Sequence, residues 1–450
     1  MTMSRGRRIA LAFVLLSGVV PSAVAQTLRI YHIDVDQASA TLLVSPAGRT
    51  LLVDSGKNGH GARIRAALQR AGVDRIDYFV DTHYHEDHYG GIDEVMDDGV
   101  SVGTAYDRGD KGFLPASRLA DTTYKDYDRT VGYGAEPLSR GKTIPLDPLM
   151  TVTCTNAGGV VLGESDPPQH ADEENDMSIG LLVVFGGFRY WIGGDTEKAT
   201  EAKIAVRDLV QDVDLYVADH HGADNGSSAD FLADLRPSVV IISNGSNKKF
   251  RHPRASTLAR MRSLTPPPTI FQLNQYLGTG DDGGNVAVEF IADPQTVDDD
   301  GTILVTVDQN ASSFTVSYGT TTKSFNVKTP AAPAPGPPPV GGGQVVITKL
   351  LPDPTAEPDR MAERVTLKNT GTGGVDLNDW FLRGSNGSVW SLSSLAVLGA
   401  GESADIRRNA MPMSLNNDGG TVALIDAAGQ VVDSVSYPSS QPGVEIVTGH

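Results

Sequence analysis

Residues 81–88 read Asp-Thr-His-Tyr-His-Glu-Asp-His, and the H-x-H-x-D-H cluster at 83–88 has three histidines and an aspartate at a spacing typical of metal ligands. In extended backbone alternate side chains point to the same side, so His83 and His85 can converge on one cation. Asp87 and His88 then turn toward a second position. Imidazole and carboxylate together suit zinc, and manganese or iron are alternatives. The pattern therefore predicts a metal centre.

The apolar run from Ile76 to Val80 comes directly before this cluster and is typical of a short buried strand. The cluster therefore sits where a strand ends and a loop opens, which is where α/β folds place their chemistry. Strands are predicted at 51–53, 178–194 (two strands joined at Gly186-Gly187), 215–217 and 239–243, with a helix at 61–70 and a closing hairpin of 302–307 with 314–318. Six of the ten histidines fall at such strand ends: His83, His85, His88, His220, His221 and His252.

Several stretches resemble one known family. The sequence "THYHEDHYGG" (82–91) is similar to the signature of the metallo-β-lactamase superfamily. The resemblance continues through "YHIDVDQASATLLVSPAGRTLLVDSG" (31–56), "ENDMSIGLLVVFGGFRYWIGGDTE" (174–197), "DVDLYVADHHGADNGSSADFLADLRPSVVIIS" (212–243) and "RHP" (251–253). More narrowly, the chain resembles the hydrolase domain of ComEC-type DNA-uptake proteins. The resemblance implies an α/β fold, an αββα sandwich whose two halves hold one or two metal ions between them.

The resemblance also assigns roles to the later ligands. Asp195 corresponds to the carboxylate that bridges two cations and keeps a hydroxide between them. His221 is preferred to His220 as the metal ligand, with His220 orienting or shielding the site, although the choice between them stays open. His252, which precedes Pro253, either completes the second metal site or contacts the leaving phosphate. Asp87 is expected to be a ligand that also assists proton transfer.

Two further aspartates are expected behind the ligands. Asp54 matches the family's buried aspartate and should brace the histidine loop through hydrogen bonds, and Asp34 should do the same from a neighbouring strand. One departure concerns the third histidine that other superfamily members place before the bridging aspartate. Here that stretch offers only His170, whereas residues 175–178 match the Asn-Asp-x-Ser of ComEC-like sequences. This departure argues against a true β-lactamase and leaves the occupancy of the second metal position open.

The chain has 450 residues and a formal net charge of −18. Such an acidic balance disfavours the long basic surface that non-specific duplex binding needs, so a nuclease would depend on metals and local cationic patches. Residues 1–25 combine three arginines, the apolar run 9–20 and Ala-Val-Ala at 23–25, which is typical of a secretory signal peptide cleaved near Ala25. An uncleaved anchor is the alternative. With no other membrane span predicted, we expect a secreted chain, periplasmic or extracellular.

The composition divides the rest of the chain into two domains. Residues 26–328 form the expected hydrolase domain, and 329–343, "TPAAPAPGPPPVGGG", form a Pro/Gly-rich linker that few contacts should cross. Residues 344–440 have short alternating strands and turn signals, resemble the lamin-tail domain, and predict a small all-β immunoglobulin-like sandwich before a flexible tail at 441–450. Its strands are predicted at 345–349, 363–368, 380–383, 421–425 and 431–437.

An insert at about 99–140 interleaves aromatic with basic residues. This pattern predicts a surface that stacks bases and contacts the phosphates of a single strand, with an ordinary surface loop as the alternative. The residues concerned are Tyr106, Phe113, Tyr124, Tyr127, Tyr133, Arg108, Lys111, Arg118, Lys125 and Arg129.

Three functions follow from these features. The first is an exported metal-dependent phosphodiesterase or nuclease that acts on DNA or nucleotides through a metal-bound hydroxide. The second is an esterase for phosphocholine-type or other esters, or a lactam hydrolase, with the same centre. The third is a cell-surface binding protein with a vestigial hydrolase domain, against which the intact ligand set argues. The lamin-tail domain is expected to hold the chain near a cell surface or polymer.

Overall fold

The computed structural model describes residues 27–328 except 110, 112–113, 165–173, 247–248, 279–281 and 296–300, and residues 345–449 except 356–358, 378–379, 385–388, 393–396, 409–412 and 427–430. The expected signal peptide (1–25) and the expected linker (329–343) lie outside the described residues. Within the described ranges, no helix combines the length and the apolar character needed to cross a membrane.

The first domain alternates strands and helices. Its strands are β1 (Leu28–His32), β2 (Thr41–Val44), β3 (Thr50–Val53), β4 (Arg75–Val80), β5 (Ser101–Asp107), β6 (Glu136–Pro137), β7 (Met150–Ala157), β8 (Val160–Val161), β9 (Gly180–Phe185), β10 (Phe188–Ile192), β11 (Leu215–Val217), β12 (Val239–Ile242), β13 (Thr269–Asn274), β14 (Ile291–Asp293), β15 (Ile303–Val307), β16 (Ser313–Tyr318) and β17 (Thr321–Asn326). Its helices are α1 (Gly61–Ala71), α2 (Glu86–Tyr89), α3 (Ile92–Asp97), α4 (Ala116–Ala120), α5 (Thr122–Thr130), α6 (Lys198–Val206), α7 (Ala229–Leu235) and α8 (Ala255–Arg262).

These strands form two sheets that face each other. The first has the order β17-β16-β15-β1-β2-β3-β4-β5-β6 and is parallel from β3 to β6. The second has the order β14-β13-β12-β11-β10-β9-β7-β8 and is parallel from β14 to β10. One core lies between the sheets and contains Val53 and Val80 from the first and Val217 and Ile241 from the second.

Helices cover the outer face of each sheet, which completes the αββα layers. Ile64 of α1 and Ile92 of α3 pack on the first sheet, and Phe231 of α7 and Leu258 of α8 pack on the second. Parallel strands end at the same edge of their sheet, so the loops that follow β4, β11 and β12 meet at one end of the sandwich. The loop after β10 joins them because β10 runs parallel to β11.

In its described residues the second domain has short strands and one short helix. In chain order these are β18 (Val345–Leu351), α9 (Asp359–Ala362), β19 (Arg364–Asn369), β20 (Val375–Asp376), β21 (Phe381–Gly384), β22 (Val389–Ser391), β23 (Val397–Leu398), β24 (Ser403–Arg407), β25 (Gly420–Ile425), β26 (Val431–Tyr437) and β27 (Ile446–Val447). Two four-stranded sheets, β24-β19-β18-β27 and β22-β21-β25-β26, enclose a core built around Trp390.

The aromatic part of the 99–140 insert corrects the sequence-based expectation. Tyr106, Tyr124 and Tyr127 are each at most 5% exposed, so the prediction that they stack bases is wrong. Tyr124 and Tyr127 are three residues apart on α5, and this spacing turns both rings onto the first sheet. Tyr133 is 90% exposed, and Phe113 lies outside the described residues.

The basic side chains of the insert bind acceptors of the chain itself. Arg108 donates to Glu174 at 2.7 and 2.8 Å, and Arg118 donates to the Tyr89 hydroxyl at 3.1 Å. Lys111, Lys125 and Arg129 likewise contact Asp128, the Ala120 carbonyl and Asp126. The insert is therefore a packed layer of the first half rather than an open cationic loop.

Candidate metal centre

The first donor group consists of His83, His85 and Asp195. His83 and His85 follow β4 in the loop that leads into α2, and Asp195 follows β10 of the facing sheet. His83 Nε2 lies 2.9 Å from His85 Nδ1 and 3.8 Å from Asp195 Oδ2. Ligand atoms about 2.0–2.1 Å from a tetrahedral zinc are separated by about 3.3 Å, so these spacings suit one cation.

The second donor group consists of Asp87, His88 and His221. His221 Nε2 lies 3.5 Å from Asp87 Oδ2, and Asp195 Oδ1 lies 3.2 Å from His88 Nε2 and 3.5 Å from His221 Nε2. Asp195 therefore presents one carboxylate oxygen to each group, which is the arrangement that a bridging carboxylate requires.

Three buried atoms at this point have no hydrogen-bond partner in the described residues: His88 Nε2, His221 Nε2 and Asp195 Oδ1. Buried polar atoms normally have hydrogen-bond partners, so three unpaired ones at a single point indicate a site for a bound ligand. Nitrogen and carboxylate oxygen together are the donors that divalent transition metals prefer. The residues present therefore fit a metal ion.

Asp54 and Thr82 fix the rings of the two histidines behind the centre. Asp54 is fully buried, accepts the Thr82 backbone N–H at 2.8 Å, and lies 2.7 Å from His88 Nδ1. The Thr82 hydroxyl donates to Asp54 at 3.1 Å and lies 3.2 Å from His83 Nδ1. With Nδ1 of both rings held from behind, Nε2 of each ring points toward the centre as the atom that would bind a cation.

A backbone carbonyl orients the ring of His221 in the same way. The ring donates from Nδ1 to the Ser243 carbonyl at 2.8 Å, at the end of β12. This hydrogen bond leaves His221 Nε2 as the donor atom toward the second group. The ligand rings are therefore oriented by acceptors from β3, β4 and β12.

The electrostatics of the centre favour ionised Asp195 beside neutral His83. Burial alone would raise the pKa of Asp195, but His88, His221 and His220 hold it well below its usual value. Burial, with help from His88, holds the pKa of His83 well below its usual range. Burial would also raise the pKa of Asp87, yet the nearby His221 and His88 side chains lower it to about 2. Both carboxylates are thus available to a cation at neutral pH.

His220 and His221 lie on opposite sides of Asp195. Both have left-handed backbone, with φ of 49° and 56°, so the chain turns sharply after β11 and the two rings diverge. His220 Nε2 is 3.7 Å from Asp195 Oδ2, the oxygen that faces His83, while His221 belongs to the second donor group. The structure thus gives both histidines a place at the centre.

His252 lies beside the centre but outside both donor groups. Its ring centroid is 5.6 Å from that of His220 and 6.2 Å from that of His221. The Gln37 amide nitrogen is 3.2 Å from His252 Nδ1, and Gln37 Oε1 accepts the Gly245 backbone N–H at 3.1 Å. Since the oxygen of this amide is used by Gly245, its NH₂ group donates to His252 Nδ1. The remaining proton of the neutral ring is then on Nε2, which makes that atom a donor rather than a ligand.

Asp34 lies behind the residues that surround the metal centre. It pairs with Arg63 and accepts from the Asn274 amide at 2.6 Å, and no hydrogen bond between Asp34 and a described metal-donor histidine is present. It instead orders the 34–37 turn that carries Gln37, since the Asp36 backbone N–H donates to it at 3.1 Å. His170 lies outside the described residues.

Sequence reasoning did not assign the residues that brace His220 and the loop of Asp195. Glu197 Oε1 lies 3.6 Å from His220 Nδ1 and accepts from the Asn175 amide at 3.0 Å. Ser178 accepts the Asp195 backbone N–H at 3.1 Å. The Asn-Asp-x-Ser stretch at 175–178 therefore braces the loop of the bridging aspartate. Its position before an apolar strand was a visible signal, although its partners were not.

Comparison with known proteins agrees with this geometry. Residues 33–243 match the sequence profile of the metallo-beta-lactamase superfamily, and residues 338–439 match that of the lamin tail domain. The chain therefore carries a metallo-beta-lactamase superfamily domain followed by a lamin tail domain. It is ComEC-like, because its curated relatives include a ComE operon protein and a competence protein.

The relatives cover only part of the chain. ComE operon protein 3 of Bacillus subtilis (strain 168) is 25% identical over 191 residues, which are 42% of this chain and 23% of that protein. Competence protein ComA of Neisseria gonorrhoeae is 26% identical over 259 residues, 56% of this chain and 33% of that protein. The chain thus spans about a quarter to a third of the length of these relatives. A diphosphatase from the PhnP family has 14% identity and a TM-score of 0.31 over 58% of this chain and 98% of its own, which supports no functional conclusion.

Proposed function

We propose that this protein is an exported metal-dependent phosphodiesterase that cleaves DNA or nucleotide phosphodiesters. One observation carries the proposal: two donor groups meet at Asp195, whose two oxygens face His83 on one side and His88 on the other. Paired cation positions of this kind suit the in-line displacement of phosphoryl transfer, in which an attacking and a leaving oxygen both need stabilisation.

Each cation position draws on both sheets. The first would be held by His83, His85 and Asp195, with His220 as a fourth donor in place of the third histidine of other superfamily members. The second would be held by Asp87, His88 and His221, with the other oxygen of Asp195. Zinc is the metal that this mixture of imidazole and carboxylate favours, and manganese is the alternative. When bound, such cations lower the pKa of water toward neutrality and offset negative charge on phosphoryl oxygens.

The chain's own residues supply orientation and proton transfer. Asp54 and the Ser243 carbonyl hold the rings of His88 and His221 by Nδ1, so that Nε2 of each ring is directed toward the second cation position. Asp87, with its pKa lowered to about 2, is ionised at neutral pH and is therefore available to hold the second cation. His252 presents a proton on Nε2, and because its pKa is lowered to about 3 by burial, then by His221 and His220, it acts as a neutral donor. We assign it to the leaving oxygen or a phosphoryl oxygen.

The substrate class is inferred from the relatives and the charge. One relative is named ComE operon protein 3, another Competence protein ComA, and a third Recombination protein 2 of Haemophilus influenzae, and the last of these names points toward DNA. A net charge of −18 favours short, single-stranded or nucleotide substrates over tightly gripped duplex. The signal-peptide pattern of residues 1–25 supports export. An ester or lactam hydrolase with the same centre is the alternative enzyme.

The deciding experiment measures metal content and rates on three reporters. Residues 26–450 are purified, supplemented with zinc or manganese, and assayed on a phosphodiester, a phosphomonoester and a lactam. We expect one to two ions per chain and the highest kcat/KM on the phosphodiester, with loss of that activity on chelation and recovery on metal return. Less than one ion per chain after supplementation, or a preference for the lactam, would contradict the proposal.

A further inference from the structure

The two sheets of the lamin-tail domain have different outer faces. On β24-β19-β18-β27 the outward side chains are polar, and we call this the polar face: Lys349, Thr366, Lys368, Ser403 and Asp405. On β22-β21-β25-β26 the outward side chains are mainly apolar, and we call this the apolar face: Phe381, Arg383, Val389, Ala423 and Ile425. A small sandwich in water normally has polar residues on both outer faces, so we expect another protein surface to shield the apolar face from water.

The apolar face is buried, although it points away from its own domain's core. Leu382 and Leu424 point inward and join the core around Trp390. Phe381 and Ile425, directly opposite each other on β21 and β25, are 2% and 0% exposed. They belong instead to the apolar cluster under the second sheet of the hydrolase domain, together with the described residues Leu209 and Val210. Hydrolase side chains therefore cover this face.

A close approach at Gly163 marks the contact. A Cβ atom on Gly163 would lie 3.1 Å from the Phe381 ring, and the residue has a left-handed φ of +85°. Both features favour glycine at the point where the ring meets the backbone after β8. The Phe381 ring therefore packs against the main chain of Gly163 rather than against a side chain.

Arg383 adds a polar anchor to the same surface. Its guanidinium donates to the Asp208 carbonyl at 2.7 Å. Burial lowers the pKa of Arg383, and the nearby Asp208 and Asp234 carboxylates oppose that effect. A buried guanidinium needs such acceptors, so docking in another register would leave the charge unpaired. The anchor therefore fixes the orientation in which the apolar face can bind.

We infer that the apolar face is a docking surface for this chain's own hydrolase domain, so that the two domains form one body. The connection alone does not impose this arrangement. The 16 residues between Lys328 and Val345 can extend to about 50 Å, which allows many other placements. What the connection does is raise the local concentration of each domain for the other to the millimolar range.

Small-angle X-ray scattering of the whole chain tests the inference. A compact chain of this length has a radius of gyration of about 22 Å, and two freely tethered domains have a larger one. We expect the compact value for the wild type and an increase of several Å for the double variant Phe381→Asp, Arg383→Glu. The matched control, Lys368→Glu with Ser403→Asp on the polar face, should keep the compact value.

Circular dichroism shows whether the double variant is folded; if it is not, Ala423→Arg replaces it, since that change adds bulk to the same face. A wild type that already scatters as two separate bodies would overturn the inference. So would a folded apolar-face variant as compact as the wild type. Expansion of the polar-face control to the same extent would assign the contact to the wrong sheet.

Discussion

Replacing Asp54 by asparagine should reverse the protonation of two ligand histidines without changing the shape of the site. The Asp54 carboxylate accepts the Thr82 backbone N–H on one oxygen and faces His88 Nδ1 at 2.7 Å with the other. In Asp54→Asn the amide oxygen must stay with the Thr82 N–H, because two donors cannot face each other in a buried site. The NH₂ group then donates to His88 Nδ1 and moves the ring proton to Nε2, the atom that would bind metal.

The size of the effect follows from the position of Asp54 behind the ligands. Loss of a carboxylate that orients a ligand histidine typically reduces metal affinity 10- to 100-fold, or about 1.4–2.7 kcal/mol. We expect a value toward the upper end, because the Thr82 hydroxyl, which links Asp54 to His83, is also redirected. The second cation position should be affected most, since His88 is one of its three donors.

The assay is competition for zinc between the protein and a chromophoric chelator, which gives the stoichiometry and both affinities. Asp214→Asn is the matched control. Asp214 is also a fully buried carboxylate and accepts the Arg189 backbone N–H at 2.9 Å, but it belongs to neither donor group. Two ions bound to Asp54→Asn with affinities within about twofold of wild type would refute the tautomer argument. An equal loss in Asp214→Asn would assign the effect to general destabilisation.

Further predictions concern catalysis, domain organisation and pH. Asp195→Asn should lower kcat by at least about two orders of magnitude in a phosphodiester assay, because it removes the shared carboxylate, whereas His170→Ala should be mild; a severe loss of metal in His170→Ala would restore the third-histidine ligand. His252→Ala should lower kcat about 10²- to 10³-fold and leave the metal content by elemental analysis unchanged, as expected for a residue that is not a ligand and acts as a neutral hydrogen-bond donor to a charged oxygen. A chain ending after Lys328 should stay folded and keep its turnover on a small phosphodiester, yet melt lower by about 2–4 °C for each kcal/mol of interface lost, as calorimetry would show. Asp234, whose pKa is raised to about 7 by burial and then by the Asp208 carboxylate, holds a proton in the folded chain that the unfolded chain releases near pH 4, so stability falls as pH rises from about 4 to 7. Urea unfolding at pH 5 and pH 7.5 should show a smaller difference for Asp234→Asn than for wild type.

The sequence identifies site residues well where the ligands are close together in the chain. It identifies them poorly where the residues come together only in the folded structure. His83, His85, Asp87 and His88 could be assigned from spacing alone, because six residues of one loop contain them all. The Gln37 to His252 contact joins positions 215 residues apart, and nothing local to either residue announces it. The choice between His220 and His221 could not be made from spacing, because consecutive residues with left-handed backbone diverge instead of alternating.

Two surfaces show how packing overrides composition. Tyr124 and Tyr127 stand among lysines and arginines, which favoured a nucleic-acid surface, but their spacing on α5 buries them. In the lamin-tail domain the run Val422 to Ile425 is apolar without alternation. Such a run indicates a strand buried on both faces, and this signal was available before the structure. The sequence did not show which residues cover the outer side of this strand, because Leu209 and Val210 are more than 200 residues away.

The pairing of β1 with β15 sets the order in which the protein can become functional. Leu28 lies opposite Val307 and His32 opposite Ile303, so the first sheet joins residues more than 270 positions apart. Closing so large a loop makes folding slow, because the entropy of closure is lost before the contacts form. All the donor residues precede β15, but the strand that carries Leu28 lacks this neighbour until residue 307 is present. A growing or truncated chain therefore contains every ligand residue before its first sheet can be complete. Pairing of the C-terminal strands of the hydrolase domain is the step that completes the scaffold of the metal centre.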